Sequence, residues 1–279
     1  AERGKDPEAL YRLGRIWLCG RMHGQDVARG AAGLEASGRL GFARAWTSLG
    51  FLSDDGKLRP KNREQALSYF LRAAGMGDPE GHFYAFILQR EGPSPQPSML
   101  PYCHLVQSAE GGYPFALALL GRFYEDKIGD EDALRTAIGL YRRAAEAGVG
   151  QAASRLGQLS EQGRGLPQNS TQARAWYEEA ANNLDYKAMH RLVRMSLYGQ
   201  GAPRDPERAA MWAYALATLD SFPWLAPLVR EVEAAATPGQ RALAKAQAQA
   251  WRNRTDSPGY FAGLNPEGSP WPRPSCEPQ

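Results

Sequence analysis

Apolar and polar positions alternate along this chain with a helical period, and the pattern itself recurs. The clearest copy is AIGLYRRAAEAGVGQAASRLG, residues 137–157, in which Ala137, Leu140-Tyr141, Ala144-Ala145, Ala152 and Leu156-Gly157 fall on helix faces and Gly148 breaks the chain between them. It reads as the second helix of one hairpin and the first helix of the next. The residue five places before the Leu-Gly glycine is Ala9, Ala45, Gly81, Ala116, Ala152 and Ala188 in successive copies, at intervals of 36, 36, 35, 36 and 36 residues. A fixed period of that size marks stacked helical units. Four places after each anchor stand Leu13, Leu49, Ala85, Leu120, Leu156 and Leu192, and seven places after stand Ile16, Leu52, Leu88, Phe123, Leu159 and Met195. These twelve are the expected core of the first helices. The second helices repeat Ala66, Tyr69-Phe70 and Ala73-Ala74 as Ala173, Trp176-Tyr177 and Ala180-Ala181, with Ala209 and Trp212 in the last copy.

The pattern resembles the Sel-one-like repeat, a relative of the tetratricopeptide repeat: an alanine, Leu-Gly, a Gly-x-Gly loop, an Asp, then Ala-x-x-Trp-Tyr-x-x-Ala-Ala. It is seen at Leu156-Gly157, Gly163-Arg164-Gly165, Ala173 and Trp176-Tyr177, and again at Gly199-Gln200-Gly201, Asp205, Ala209 and Trp212. The expected fold is all-α, a right-handed α/α superhelical solenoid of about six helix-turn-helix repeats with C-terminal capping helices. Its parts are an N-terminal segment 1–8, repeats over 9–220, capping helices over 221–254 and a Pro/Gly-rich tail, 255–279, with Tyr260, Phe261 and Trp271 as possible anchors. In the cap, Trp224, Leu225, Leu228 and Val232 have helical spacing, and Leu243, Ala246, Ala250 and Trp251 are the expected core of the last helix. Two copies depart from the pattern. Gly81 and Phe86 replace Ala and Gly in the third, whose loop is EGPSPQPSMLP, and Leu184 replaces the hairpin glycine in the fifth. Altered hairpin angles are expected at both.

Composition narrows the chemistry. A net charge of +3 on 279 residues argues against general nucleic-acid binding. No run reaches the roughly 18 apolar residues of a membrane span. Cys19, Cys103 and Cys276 have no ligand or redox spacing, and Cys19 and Cys103 sit in non-adjacent repeats, so no disulfide is expected between them. His23, His82, His104 and His190 read as belonging to four different repeats, and no metal or other cofactor is expected. The two Gly-x-Gly segments follow helix rather than strand and recur in phase, so they read as turns and not phosphate loops. Asp54-Asp55 reads as a solvated turn. No catalytic motif stands out, and the chain is expected not to be an enzyme.

What remains is a surface. One step off the core, the third positions after the anchors are Arg12, Ser48, Tyr84, Leu119, Arg155 and Arg191, and the sixth are Arg15, Phe51, Ile87, Arg122, Gln158 and Arg194. Six of these twelve are arginine, and Phe51, Tyr84 and Ile87 cluster in neighbouring copies. The two rows predict a basic and aromatic concave face for a protein partner with an acidic surface. On this reading, exchanging Arg155 and Arg191 for Glu weakens binding and leaves helicity unchanged. The resemblance implies a non-catalytic scaffold: an immunity protein against a secreted toxic effector, such as a type VI phospholipase, or an adaptor in envelope or exopolysaccharide assembly or in signalling. A hydrolase framed by the repeats is the third class. A start at Ala1 suits a trimmed product and a periplasmic or envelope location, with a cytoplasmic one also open.

Overall fold

The computed structural model describes residues 6–20, 24–56, 58–91, 100–219 and 224–255, with the Leu100 side chain outside that set. Among these residues there are fourteen α-helices and no strand. His23, the loop core at 92–99, Cys276 and the tail anchors Tyr260, Phe261 and Trp271 lie outside the described residues. The described residues divide into two compact units, one up to residue 116 and the other from 117 to 255.

The first unit holds α1 (Pro7–Cys19), α2 (Val27–Arg39), α3 (Ala43–Asp55), α4 (Arg63–Gly75), α5 (Pro79–Arg90), α6 (Leu100–Glu110) and the start of α7 (Pro114–Glu125). The second holds the rest of α7, α8 (Glu131–Glu146), α9 (Gly150–Gln162), α10 (Ser170–Asn182), α11 (Tyr186–Tyr198), α12 (Pro206–Ala217), α13 (Leu225–Ala235) and α14 (Pro238–Thr255). Helix starts follow from short polar side chains placed where the first turn has orphan donors. Asp26, Asn62, Asp78, Asp130, Asn169, Asp185 and Asp205 each accept a backbone N–H from the turn they open. Thr237 and Gln240 cap α14 reciprocally.

In the hairpins that keep the Leu-Gly glycine, this residue sets the seam between the two helices. A Cβ on Gly50 would fall 2.4 Å from the Phe70 ring, and on Gly121 and Gly157 it would fall 2.9 and 2.8 Å from the Tyr141 and Tyr177 rings. The ring of the second helix therefore lies directly on the backbone of the first. In the first copy Gly14 faces Gly30 and Leu34 instead. Ten of the twelve expected core residues are buried or half-buried, but Leu13 is 48% and Phe123 38% exposed. Leu13 points away from α2, the helix against which Gly14 of the same turn is packed.

Gly163, Gly165, Gly199 and Gly201 have φ between 67° and 71°, and the segments they punctuate close equivalent turns. Asn169 donates to Ser160 O at 2.9 Å, and Asp205 donates to Ser196 O at 2.8 Å. The second glycine of each pair presses on the preceding hairpin, Gly165 on Leu134 and Ile138, Gly201 on the Ser170 backbone. Leu184 keeps the turn its glycine counterparts make, at φ 57° against 80–86° for Gly77, Gly112 and Gly148. The left-handed conformation is retained at Leu184 at a cost of about 1–2 kcal/mol for an L side chain.

Of the four residues expected in the core of α14, Trp251 is buried and the other three are not. Ala244, Ala248, Trp251 and Thr255 are buried, while Leu243 is 50% exposed and Ala246 and Ala250 face solvent. Trp251 decides the register: it packs edge-on to Trp212 at 6.1 Å and donates its indole N–H to Asn182, which turns the 243–246–250 row outward. Cys103 is a free surface thiol, so Cys19 and Cys103 do not pair.

Candidate protein-interaction faces

Two first helices of the second unit, α7 and α9, end at or beside a glutamate, and these two carboxylates organise the face. Glu125, only 4% exposed at the end of α7, accepts a hydrogen bond from the Tyr141 hydroxyl at 2.9 Å. It also accepts from Arg155 Nε at 2.7 Å, Arg155 Nη2 at 2.5 Å and Arg164 Nη1 at 3.0 Å. Burial alone would raise this carboxyl, but the hydrogen bonds from Arg155 and Tyr141 and the charges of Arg155 and Arg164 hold it below its ordinary range. One period later Glu161 accepts from the Tyr177 hydroxyl at 3.0 Å, from Arg191 Nε at 3.0 Å and from Arg191 Nη2. Each carboxylate thus clasps its own hairpin through the tyrosine and the next hairpin through a bidentate arginine.

This arrangement divides the nine residues of the expected face. Arg155 and Arg191 are committed to internal carboxylates, so their reversal to Glu would place like charges together inside the stack. The double exchange is therefore expected to disturb the stacked helices and not to leave helicity unchanged. Arg122 and Arg194 are exposed, and Arg194 lies over the Tyr198 ring at 5.9 Å. In the first unit Arg12 pairs with Glu8 at 2.6 Å on the surface, and Arg15 sits 5.8 Å from the Tyr11 ring centroid. Phe51 and Tyr84 meet edge-on at 4.5 Å, and both pack on Phe70 at 5.3 Å. Tyr84, at the repeat position of Arg155 and Arg191, is buried rather than displayed, and Phe51 and Ile87 are half-buried. Aromatic packing there occupies the place of the ionic clasp.

Sequence reasoning missed the clasp partners, although Glu125/Glu161, Tyr141/Tyr177 and Arg155/Arg191 each recur at the repeat interval. It also separated two histidines that belong to one hairpin: His82 of α5 and His104 of α6 approach to 2.8 Å between Nδ1 atoms. Burial holds both below 6.5, and His82 further lowers His104. Nearby, burial and then the Asp78 charge push the Glu80 carboxyl up to about 7, against the opposing Arg44 charge and a 3.4 Å hydrogen bond from Tyr113. A carboxyl raised above its ordinary 4.5 keeps a proton in the folded chain that the unfolded chain releases, so stability falls as pH rises from 4.5 toward 7. Glu80→Gln is expected to remove about 1–2 kcal/mol of that fall after allowance for solvent screening, seen by comparing urea unfolding of parent and variant at both ends of the window.

Among the described residues no group of three or more His, Cys, Asp or Glu is arranged to hold a metal ion. No described helix is long and apolar enough to cross a membrane.

Comparison with known proteins fits this geometry. The chain is similar in structure to c5321, a protective antigen of uropathogenic Escherichia coli strains with an SLR fold, at 25% identity and TM-score 0.77; the match covers 92% of this chain and 55% of that one. This chain therefore spans about half the length of that relative. A Sel1 repeat protein from Oxalobacter formigenes matches at 23% identity and TM-score 0.69, over 77% of this chain and 89% of its own. Immunity protein PA5088 from Pseudomonas aeruginosa shares the fold at 16% identity and TM-score 0.51, over 90% of this chain and 83% of its own. No curated protein matches. The Sel1 repeat model matches residues 7–32, 47–78, 114–149, 150–183 and 187–221, passing over the third hairpin with its irregular loop. With more than half of its length matched and the helix pairs of a repeat solenoid in place, the chain belongs to the Sel1 repeat family, a protein-interaction fold.

Proposed function

We propose that this chain binds a protein partner through the solvent-facing sides of its first helices, and that the partner is a secreted toxic effector which the chain neutralises at the cell envelope. One observation carries the binding reading: after the clasps have used Arg155 and Arg191, Arg122 on α7 and Arg194 on α11 still present cations outward from first helices. Arginine beside exposed aromatic rings is the composition from which interface anchors are drawn. The finer role, immunity, comes from the roles known in this family, and the fold shared with the Pseudomonas immunity protein is in keeping with it.

Capture of the partner from the native organism by the tagged full chain tests this reading. A neutraliser is expected to retain one protein at 1:1 stoichiometry with nanomolar affinity, of order 12 kcal/mol. Expression of that protein alone should arrest a host cell, and co-expression of this chain should restore growth. Recovery of several envelope components at micromolar affinity, none of them toxic, would replace immunity with an assembly adaptor.

A further inference from the structure

The outward stripe of α11 differs from the equivalent stripe of α9. Lys187, His190, Arg194 and Tyr198 follow one another at intervals of a helical turn, where α9 carries Gln151, Ser154, Gln158 and Gln162. The residues of α11 include Lys187, Arg191 and Arg194 and no carboxylate. Glu161 answers Arg191, whereas Arg194 contacts the Tyr198 ring and, among the described residues, forms no ion pair. Trp224, 43% exposed just before α13, meets the His190 ring edge-on at 5.2 Å and lengthens the stripe at one end. At the other end Tyr198 is 52% exposed and its hydroxyl donates to Glu231. Beside it opens a cleft of about 530 Å³ walled by Leu197, Ala234 and Ala235, with Arg204 and Glu231 also lining it.

Cations, exposed rings and a cleft with one apolar wall thus adjoin one another within the second unit. Exposed aromatic surface next to unpaired guanidinium groups is the composition of binding hot spots. The excess of positive charge selects carboxylates, and the alanine and leucine walls select a small aliphatic group.

We propose that this stripe docks an acidic segment of a partner protein, with its carboxylates on Arg194 and Arg204 and a neighbouring aliphatic side chain in the cleft. The inference deepens the protein-binding reading above and rests on it.

The test uses the full chain and a short fluorescein-labelled peptide built of Glu-Glu-Leu-Ser units, with counterparts carrying Gln for Glu or Ser for Leu. By anisotropy the parent peptide should bind at least about tenfold more tightly than either counterpart. Arg194→Ala with Tyr198→Ala should cost about tenfold or more, while Arg142→Ala on α8, an equal loss of charge, should stay within about twofold. Trp224→Ala supplies the same readout should the double variant melt early. Equal binding of the Glu and Gln peptides, or undiminished binding by the double variant, overturns the inference. Loss on Arg122→Ala instead places the contact on α7: the α11 site then fails and the protein-binding reading stands. Peptide binding at α11 together with failure of the capture experiment removes immunity alone.

Discussion

Glu125→Ala is expected to lower the stability of the second unit by roughly 3 kcal/mol, among the larger losses open to a single substitution in this chain. The carboxylate is buried, and its removal leaves the Tyr141 hydroxyl, the Nε and Nη2 donors of Arg155 and the Nη1 donor of Arg164 without their acceptor, while Arg155 Nη1 keeps Gln158. Arg155 and Arg164 are over a third exposed and can turn to water, so the figure sits at the low end for a broken buried pair. Glu161→Ala should cost less, since that carboxylate is 23% exposed and has one arginine partner. The pH dependence has a definite sign. Because the folded carboxyl of Glu125 lies below its ordinary 4.5, the stabilisation is present above that value and is lost as pH falls through the lower folded one. Thermal melts of parent and Glu125→Ala at neutral pH and in acid check both claims: the gap between them should close on acidification.

Gly201→Ala should cost roughly 3 kcal/mol, and Gly148→Ala about 1 kcal/mol. Both residues have positive φ, 71° and 86°, so each alanine is placed in the left-handed region. They differ in what the new methyl meets. At Gly201 the Cβ would fall 2.3 Å from the Ser170 carbonyl oxygen and 2.6 Å from its carbon, which belong to a helix start and cannot turn aside. At Gly148 the nearest atom is Asn183 Oδ1 at 3.6 Å, an ordinary contact. Equal losses in chemical denaturation would show that the loop moves off α10 freely and that the close approach has no energetic consequence.

The two turns also show what kind of information the sequence carries. Repeat length and the turn function of Gly-x-Gly were legible because backbone geometry imposes the same requirement wherever the motif recurs, so the signal accumulates. The register of α14 was not, because Leu243, Ala246 and Ala250 offer as good an apolar row as Ala244, Ala248 and Trp251, and a contact with Trp212 chooses between them. The arginine rows were visible, but not their commitments. Arg155 and Arg194 look alike as exposed helix positions; one is taken by a carboxylate 30 residues away and the other faces solvent. Tyr84 was placed on the displayed face by its phase and is buried because Phe51 and Phe70 close around it.

The glycine seam of the hairpins has a consequence for how such a chain can change. Gly14 faces Leu34, Gly50 faces Phe70, Gly121 faces Tyr141 and Gly157 faces Tyr177, and the repeat interval aligns Phe86 with Val106 and Val193 with Ala213. Where the first helix loses its glycine, the second loses its large ring. A large ring on one helix is matched by a smaller residue on the other, as a close-packed interior demands. A hairpin therefore travels through duplication or recombination as a matched set: breakpoints between hairpins preserve the fit, while a breakpoint at the tip of a hairpin would set Phe86 against a tyrosine or leave a glycine facing an alanine.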